Sequence, residues 1–84
     1  MDERILVEVY VPAAMYTYDV YLPKHKIVKD IKEILFSLLE ELNNGVFIPL
    51  PQTALYGERI QAILADEKTL QEERIVQGDK LIVL

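Results

Sequence analysis

The apolar residues of this chain change their spacing once, at Pro23, and that change restricts the fold more than any other feature. Upstream the period is two. Ile5, Val7, Val9 and Val11 alternate with Leu6, Glu8 and Tyr10; Tyr16, Tyr18, Val20 and Leu22 alternate with Thr17, Asp19 and Tyr21. Successive side chains on a strand point to opposite faces, so the pattern predicts two half-buried strands over 5–11 and 16–22. Pro12-Ala13-Ala14 interrupts them, and so short a loop joins them as a hairpin. Downstream the period is helical. Val28, Ile31, Leu35, Leu38 and Leu42 recur at three- and four-residue steps, and Ile27, Ile34 and Leu39 widen the stripe. The spacing predicts a helix over 26–43, stopped by Asn43-Asn44-Gly45.

The remainder reads as short pieces. Pro49 and Pro51 exclude a central strand over 46–53, because proline cannot donate to a ladder. That segment is expected to be a connector with Phe47 and Ile48 packed beneath it. Residues 54–56 form a strand candidate, Gly57-Glu58-Arg59 a bend, and 60–64 a further short strand. Asp66-Glu67-Lys68 turns the chain, 69–74 is expected to be one turn of 3₁₀ helix, and 80–84 the final strand. The class is α+β, in ββαββ order, with one helix across one face of a mixed sheet. The first and last strands are expected to pair in parallel at the sheet centre, because the connection between them contains the helix.

Length and composition set the outer limits. Eighty-four residues without a linker or low-complexity stretch make a single domain over 1–84. A chain of this size buries only about 60–65% of its unfolded surface and needs a dense core. The 51% apolar content can supply one. There is no cysteine, so neither a disulfide nor a thiolate metal site is available, which fits a reducing compartment. Met1-Asp2-Glu3-Arg4 lacks a basic and apolar leader, and no apolar run approaches the roughly 20 residues that span a bilayer. The expectation is a cytoplasmic protein with no membrane insertion. A net charge of −5 disfavours nucleic acid, whose phosphates need clustered cations.

Chemistry-bearing groups are sparse. The single histidine, His25, lies between Lys24 and Lys26 with no second histidine or cysteine to join it at a metal. Ser37 and Thr17 lack a base and an orienting group to complete a triad. Glu40-Glu41 and Glu72-Glu73 are paired carboxylates of a solvated surface, and the glycines at 45, 57 and 78 are scattered rather than gathered into a phosphate loop. No catalytic residue, metal or cofactor is expected. The helix carries its charges in reverse. Lys24, Lys26, Lys29 and Lys32 lie near its positive end, and Glu40 and Glu41 near its negative end. Lys24, Lys26 and Lys29 therefore form a secondary basic patch for an acidic partner. Strand parity gives the primary candidate. With Ile5, Val7, Val9, Leu81 and Val83 facing the helix, Leu6, Tyr10, Tyr21, Ile82 and Leu84 face away, and Tyr56 is a further candidate. A contiguous apolar patch flanked by tyrosines fits a protein interface, with a partner or with a second copy of the chain as a homodimer.

Residues 69–84 carry a family resemblance. Thr69-Leu70 opens a polar turn, Ile75 is its lone apolar anchor, Gly78-Asp79 makes a tight bend, and an apolar strand runs to Leu84. This order resembles the C-terminal third of ubiquitin-like β-grasp proteins, and the element order is similar to that superfamily over nearly the whole chain. Within it, the Leu70-x4-Ile75-x2-Gly78-Asp79-x-Leu81 spacing, the immediate first strand and the length are similar to the YukD/EsaB family. Those are small ubiquitin-like accessory proteins of bacterial type VII (WXG100) secretion. The resemblance implies a β-grasp fold, a protein-binding role without enzymatic activity, and secretion-apparatus components as partners. Conjugating and sulfur-carrying relatives end in Gly-Gly. Here the sequence stops at Leu84 within the strand, so the expectation is a module that binds without being conjugated. The Pro49/Pro51 connector also departs from ubiquitin, whose corresponding segment is shorter. The alternatives are a modifier or sulfur-carrier relative that has lost its Gly-Gly tail, and a non-catalytic subunit of an enzyme complex.

Overall fold

Both period-two stretches are strands in a computed structural model of the chain, which describes residues 3–42 and 53–84. The elements are β1 (Arg4–Val11), a 3₁₀ turn (Pro12–Ala14), β2 (Tyr16–Pro23), α1 (Val28–Leu42), β3 (Leu55–Gly57), β4 (Ala62–Ile63) and β5 (Lys80–Val83). Written strand by strand, the order is ββαβββ. Five strands form one sheet in the order β2-β1-β5-β3-β4. β1 and β5 run parallel, with Glu8 opposite Lys80, Val9 opposite Leu81 and Tyr10 opposite Ile82. The other neighbours are antiparallel, so the sheet is mixed, as the sequence pattern predicts. The hairpin closes through Met15, whose left-handed backbone (φ 50°) lets its amide donate to Pro12 O at 3.0 Å. The helix stop at 43–45 and the proline connector with Phe47 and Ile48 lie outside the described residues.

The inner face of the sheet is apolar throughout and is closed by α1. Val7, Val9, Val11, Leu22, Leu55 and Leu81 are inaccessible to solvent, as are Val28, Ile31, Leu35 and Leu39 of the helix. Fully burying each such side chain stabilises the fold by roughly 1.5–3 kcal/mol. The helix meets the core one residue away from the expected register in its second half. Leu39 is buried where Leu38 was expected, Leu38 is half-buried, and Leu42 is exposed. At about 100° per residue, Leu38 sits roughly 60° from the mean direction of Val28, Ile31, Leu35 and Leu39. Leu42 has the right direction but occupies the last position of α1.

The helix begins at Val28, two residues later than its pattern predicts, and it does so without a polar capping side chain ahead of it. Its first amides go to a distant turn. Val28 N–H donates to Lys68 O at 2.7 Å, and Lys29 N–H to Asp66 O at 3.1 Å. Ile27 makes an isolated bridge with Thr69, and Lys32 Nζ reaches Asp66 Oδ1 at 2.8 Å and Thr53 O at 3.2 Å. The turn that follows is not a regular 3₁₀ helix. Glu73 N–H donates to Thr69 O, Arg74 N–H to Gln71 O and Ile75 N–H to Leu70 O, three different spacings in succession. A reciprocal capping box fixes its start, with Glu72 N–H donating to Thr69 Oγ1 and Thr69 N–H to Glu72 Oε1, both at 3.0 Å.

Candidate functional site

The outer face of the sheet is built in rungs, because residues opposite one another in register share a face. One rung crosses all five strands: Thr17, Tyr10, Ile82, Tyr56 and Ile63. Ile82 lies at its centre, between two tyrosines. Ile63 at the far edge is 58% exposed. The next rung, about 7 Å away, is charged. It runs Asp19, Glu8, Lys80, followed by Glu58, whose amide donates to Lys80 O at 3.1 Å. Lys80 Nζ lies 5.5 Å from the Tyr10 ring centroid and 4.0 Å from Glu58 Oε2. A cation over an aromatic face is favourable by about 0.5–1 kcal/mol at an exposed site.

The expected patch is therefore divided. Tyr10 and Ile82 are direct neighbours, and Leu84, 59% exposed, follows on the same side of β5. Its amide donates to Ala54 O at 2.9 Å. Leu6 pairs with Tyr21 instead, four residues along β1 from Tyr10, or about 13 Å. The Glu8 rung lies between the two groups. Leu6 is also tied down by its backbone, since its N–H donates to Gln77 Oε1 and its carbonyl accepts from Gly78 N–H, both at 2.8 Å. Ile63 was not legible as an outward residue from period alone. Its facing is set by the Gly57–Ala62 register across a tight turn with Gln61 at φ 54°.

The secondary basic patch is also divided. Lys24 Nζ binds Glu3 Oε2 at 3.1 Å, and that hydrogen bond holds the Glu3 carboxyl below its ordinary range. Lys26 and Lys29 are exposed and make no ion pair among the described residues. His25 Nε2 is 3.9 Å from Glu3 Oε1. The paired carboxylates at 72 and 73 are structural, Glu73 Oε2 accepting from Ala65 N–H at 2.9 Å. No three His, Asp or Glu side chains are gathered as a metal site among the described residues.

One buried charge was missed in the sequence. Asp79, only 7% exposed, accepts from Arg59 Nε at 2.8 Å and from Arg59 Nη2 at 2.9 Å. It also accepts from Val76 N–H at 2.9 Å, and Arg59 Nη2 donates to Arg74 O. The Arg59 guanidinium holds the Asp79 carboxyl below the usual carboxylate range, and burial opposes it. This network ties the loop before β5 to the bend after β3. Arg74 (φ 63°) and Gly78 (φ 90°) supply the left-handed turns that it needs.

No protein-family model and no characterised protein matches the sequence. Solved structures do match the fold. The ubiquitin-like domain of EccD5 from Mycobacterium xenopi superposes with a TM-score of 0.78 at 18% identity, over 98% of this chain and 93% of that one. The ubiquitin-like domain of the Mycobacterium tuberculosis type VII secretion system protein EccD1 gives 0.76 at 15% identity, over 98% of both chains. A ubiquitin-like domain from an Arabidopsis thaliana protein gives 0.73 at 22% identity, over 98% of this chain and 77% of that one. At these identities the likeness defines the fold, which is the ubiquitin-like β-grasp. Plant and mycobacterial domains share it, so use has to be argued from the surface.

Proposed function

We propose that this chain is a ubiquitin-like module that binds protein partners through the outer face of its sheet, within a bacterial type VII secretion apparatus. The observation that carries the binding part is the Tyr10–Ile82–Tyr56 rung. A large aliphatic side chain at the centre of a sheet, flanked by tyrosines and not covered by the helix, is the composition of an interface core. The secretion part rests on the Leu70–Leu81 spacing and on the mycobacterial secretion domains that share the fold. The module acts in the cytoplasm, has no catalytic activity of its own and inserts into no membrane. No helix among the described residues is long and apolar enough to cross one.

The test is Ile82→Asp. Burying an aliphatic side chain of this size is worth roughly 1.5–3 kcal/mol, so a charge there weakens association at least about tenfold. Pull-down from the native host reads partner binding, and light scattering reads self-association. A variant that keeps every partner and the same oligomeric state would falsify the binding face and move attention to Lys26 and Lys29.

A further inference from the structure

Glu8 and Asp19 stand directly opposite one another in the β1–β2 ladder, both exposed. Like charges in that position are unfavourable. Neither has an ion-pair partner among the described residues. The neighbouring cation, Lys80, is directed to the Tyr10 ring and to Glu58. The sheet therefore holds a pair of opposed carboxylates that form no ion pair among the described residues, about 7 Å from the Tyr10–Ile82 rung, on its β2–β1 half.

From this arrangement we infer that the outer face selects a basic amphipathic helix. The inference rests on the binding reading above and adds the chemistry of the partner. The apolar part of the rung, Tyr10 to Ile63, crosses four strands spaced by about 4.8 Å, a width of roughly 14 Å, which is the length of about 10 residues of α-helix. Strand spacing and helical pitch (about 5.4 Å) are close enough for one aliphatic side chain per turn to meet successive strands. Lysine or arginine side chains on the flank of that helix over β2 and β1 meet Glu8 and Asp19 and relieve their repulsion. An acidic helix, a phosphate backbone or an anionic lipid surface meets the same pair unfavourably.

The probes are two synthetic amphipathic peptides of about 18 residues. They share one leucine and isoleucine stripe, and their polar faces are Lys/Arg in one and Glu in the other. Binding to the isotope-labelled chain is followed by NMR and calorimetry at about 50 mM and about 300 mM salt, on either side of the ionic strength at which exposed charges become well screened. The basic peptide is expected to bind, to shift the amide signals of Glu8, Tyr10, Asp19, Tyr56 and Ile82, and to weaken with salt. The acidic peptide is expected not to bind. The double variant Glu8→Gln/Asp19→Asn is expected to weaken the basic peptide roughly three- to tenfold. Glu40→Gln/Glu41→Gln, which removes the same charge from the helix, is expected to leave binding unchanged. A melting temperature at or above that of the parent chain shows that the Glu8/Asp19 variant is folded.

Equal binding of the two peptides, or equal weakening by the two double variants, overturns the charge selection and leaves the apolar face standing. Binding of the basic peptide that survives Ile82→Asp overturns both. If neither peptide binds, the selection is overturned, and the host pull-down with Ile82→Asp still decides the face. A dimer that Ile82→Asp dissolves means that a second copy occupies the face, which also overturns it.

Discussion

The two faces of this sheet are made by the same strands and have different work left to do. On the inner face of β5, Leu81 is inaccessible and Val83 only 5% exposed, both satisfied by α1 and its neighbours. On the outer face of the same strand, Ile82 and Leu84 have no helix to meet. β1 repeats the contrast, with Ile5, Val7, Val9 and Val11 buried and Arg4 and Glu8 exposed. The inner face is uniform because anything polar there would be buried without a partner. The outer face places an apolar rung next to a charged one, a pattern that folding does not require. Stability sits in the odd-numbered residues of β1 and β5, and the face proposed for recognition is made of the even-numbered ones.

The largest expected effect comes from breaking the inner face. Leu35→Ala leaves a cavity at the centre of the helix–sheet contact and is expected to cost about 2–5 kcal/mol in denaturant unfolding. A loss under about 1 kcal/mol would place the core elsewhere. Asp79→Ala comes next. It removes the acceptor of the Arg59 fork and of Val76 N–H, for about 1–3 kcal/mol. The pH dependence has a definite sign. The folded carboxyl titrates below its unfolded value of about 3.9, so its contribution is full above that value and fades as pH falls through the lower, folded one. Asp79→Asn is expected to be less stable at neutral pH and to lose less on acidification. Equal acid sensitivity in the two proteins would remove Asp79 from the account.

The strands and the helix were legible because each repeats its period several times, and parity alone assigned Ile82 outward and Leu81 inward. The second half of α1 was less legible. Leu38, Leu39 and Leu42 are all leucine, and only the position of the sheet decides which is buried. Ile63 was hidden because β4 has only two residues, too short for a period. Asp79 was read as a turn residue because its partner, Arg59, is 20 positions away and no local rule links them. The Thr69–Glu72 capping box was in plain sight as Thr-x-x-Glu. The division of the outer patch followed from Glu8, visible in the sequence between Leu6 and Tyr10, once the register put Asp19 and Lys80 beside it.

Adjacent substitutions on β5 give the sharpest form of the comparison. Leu81→Asp buries an unpaired carboxylate in an inaccessible site and is expected to abolish cooperative unfolding. Ile82→Asp is expected to leave folding within about 1 kcal/mol of the parent while reducing association at least tenfold. If both variants unfold, Ile82 belongs to the core and the two faces are not separable. If both fold, the inner face is not what holds the chain together.

The smallest expected effect has the opposite sign. Glu8→Gln/Asp19→Asn removes two exposed carboxylates that face each other across the β1–β2 ladder and form no ion pair among the described residues. Cross-strand pairs contribute about 0.2–1 kcal/mol, and like charges directly opposite destabilise the sheet. The double variant is therefore expected to be more stable by a few tenths of a kcal/mol up to about 1, with the gain shrinking as salt screens the repulsion in the parent. On the inner face every apolar-to-polar or large-to-small change lowers stability, because packing there is already complete. On the outer face, removing this pair of like charges raises it, because their repulsion is present in the free protein. Denaturant midpoints at low and high salt give the sign directly. A double variant that is less stable at low salt would mean that Glu8 and Asp19 hold the hairpin together, and the outer face would then be explained by folding alone.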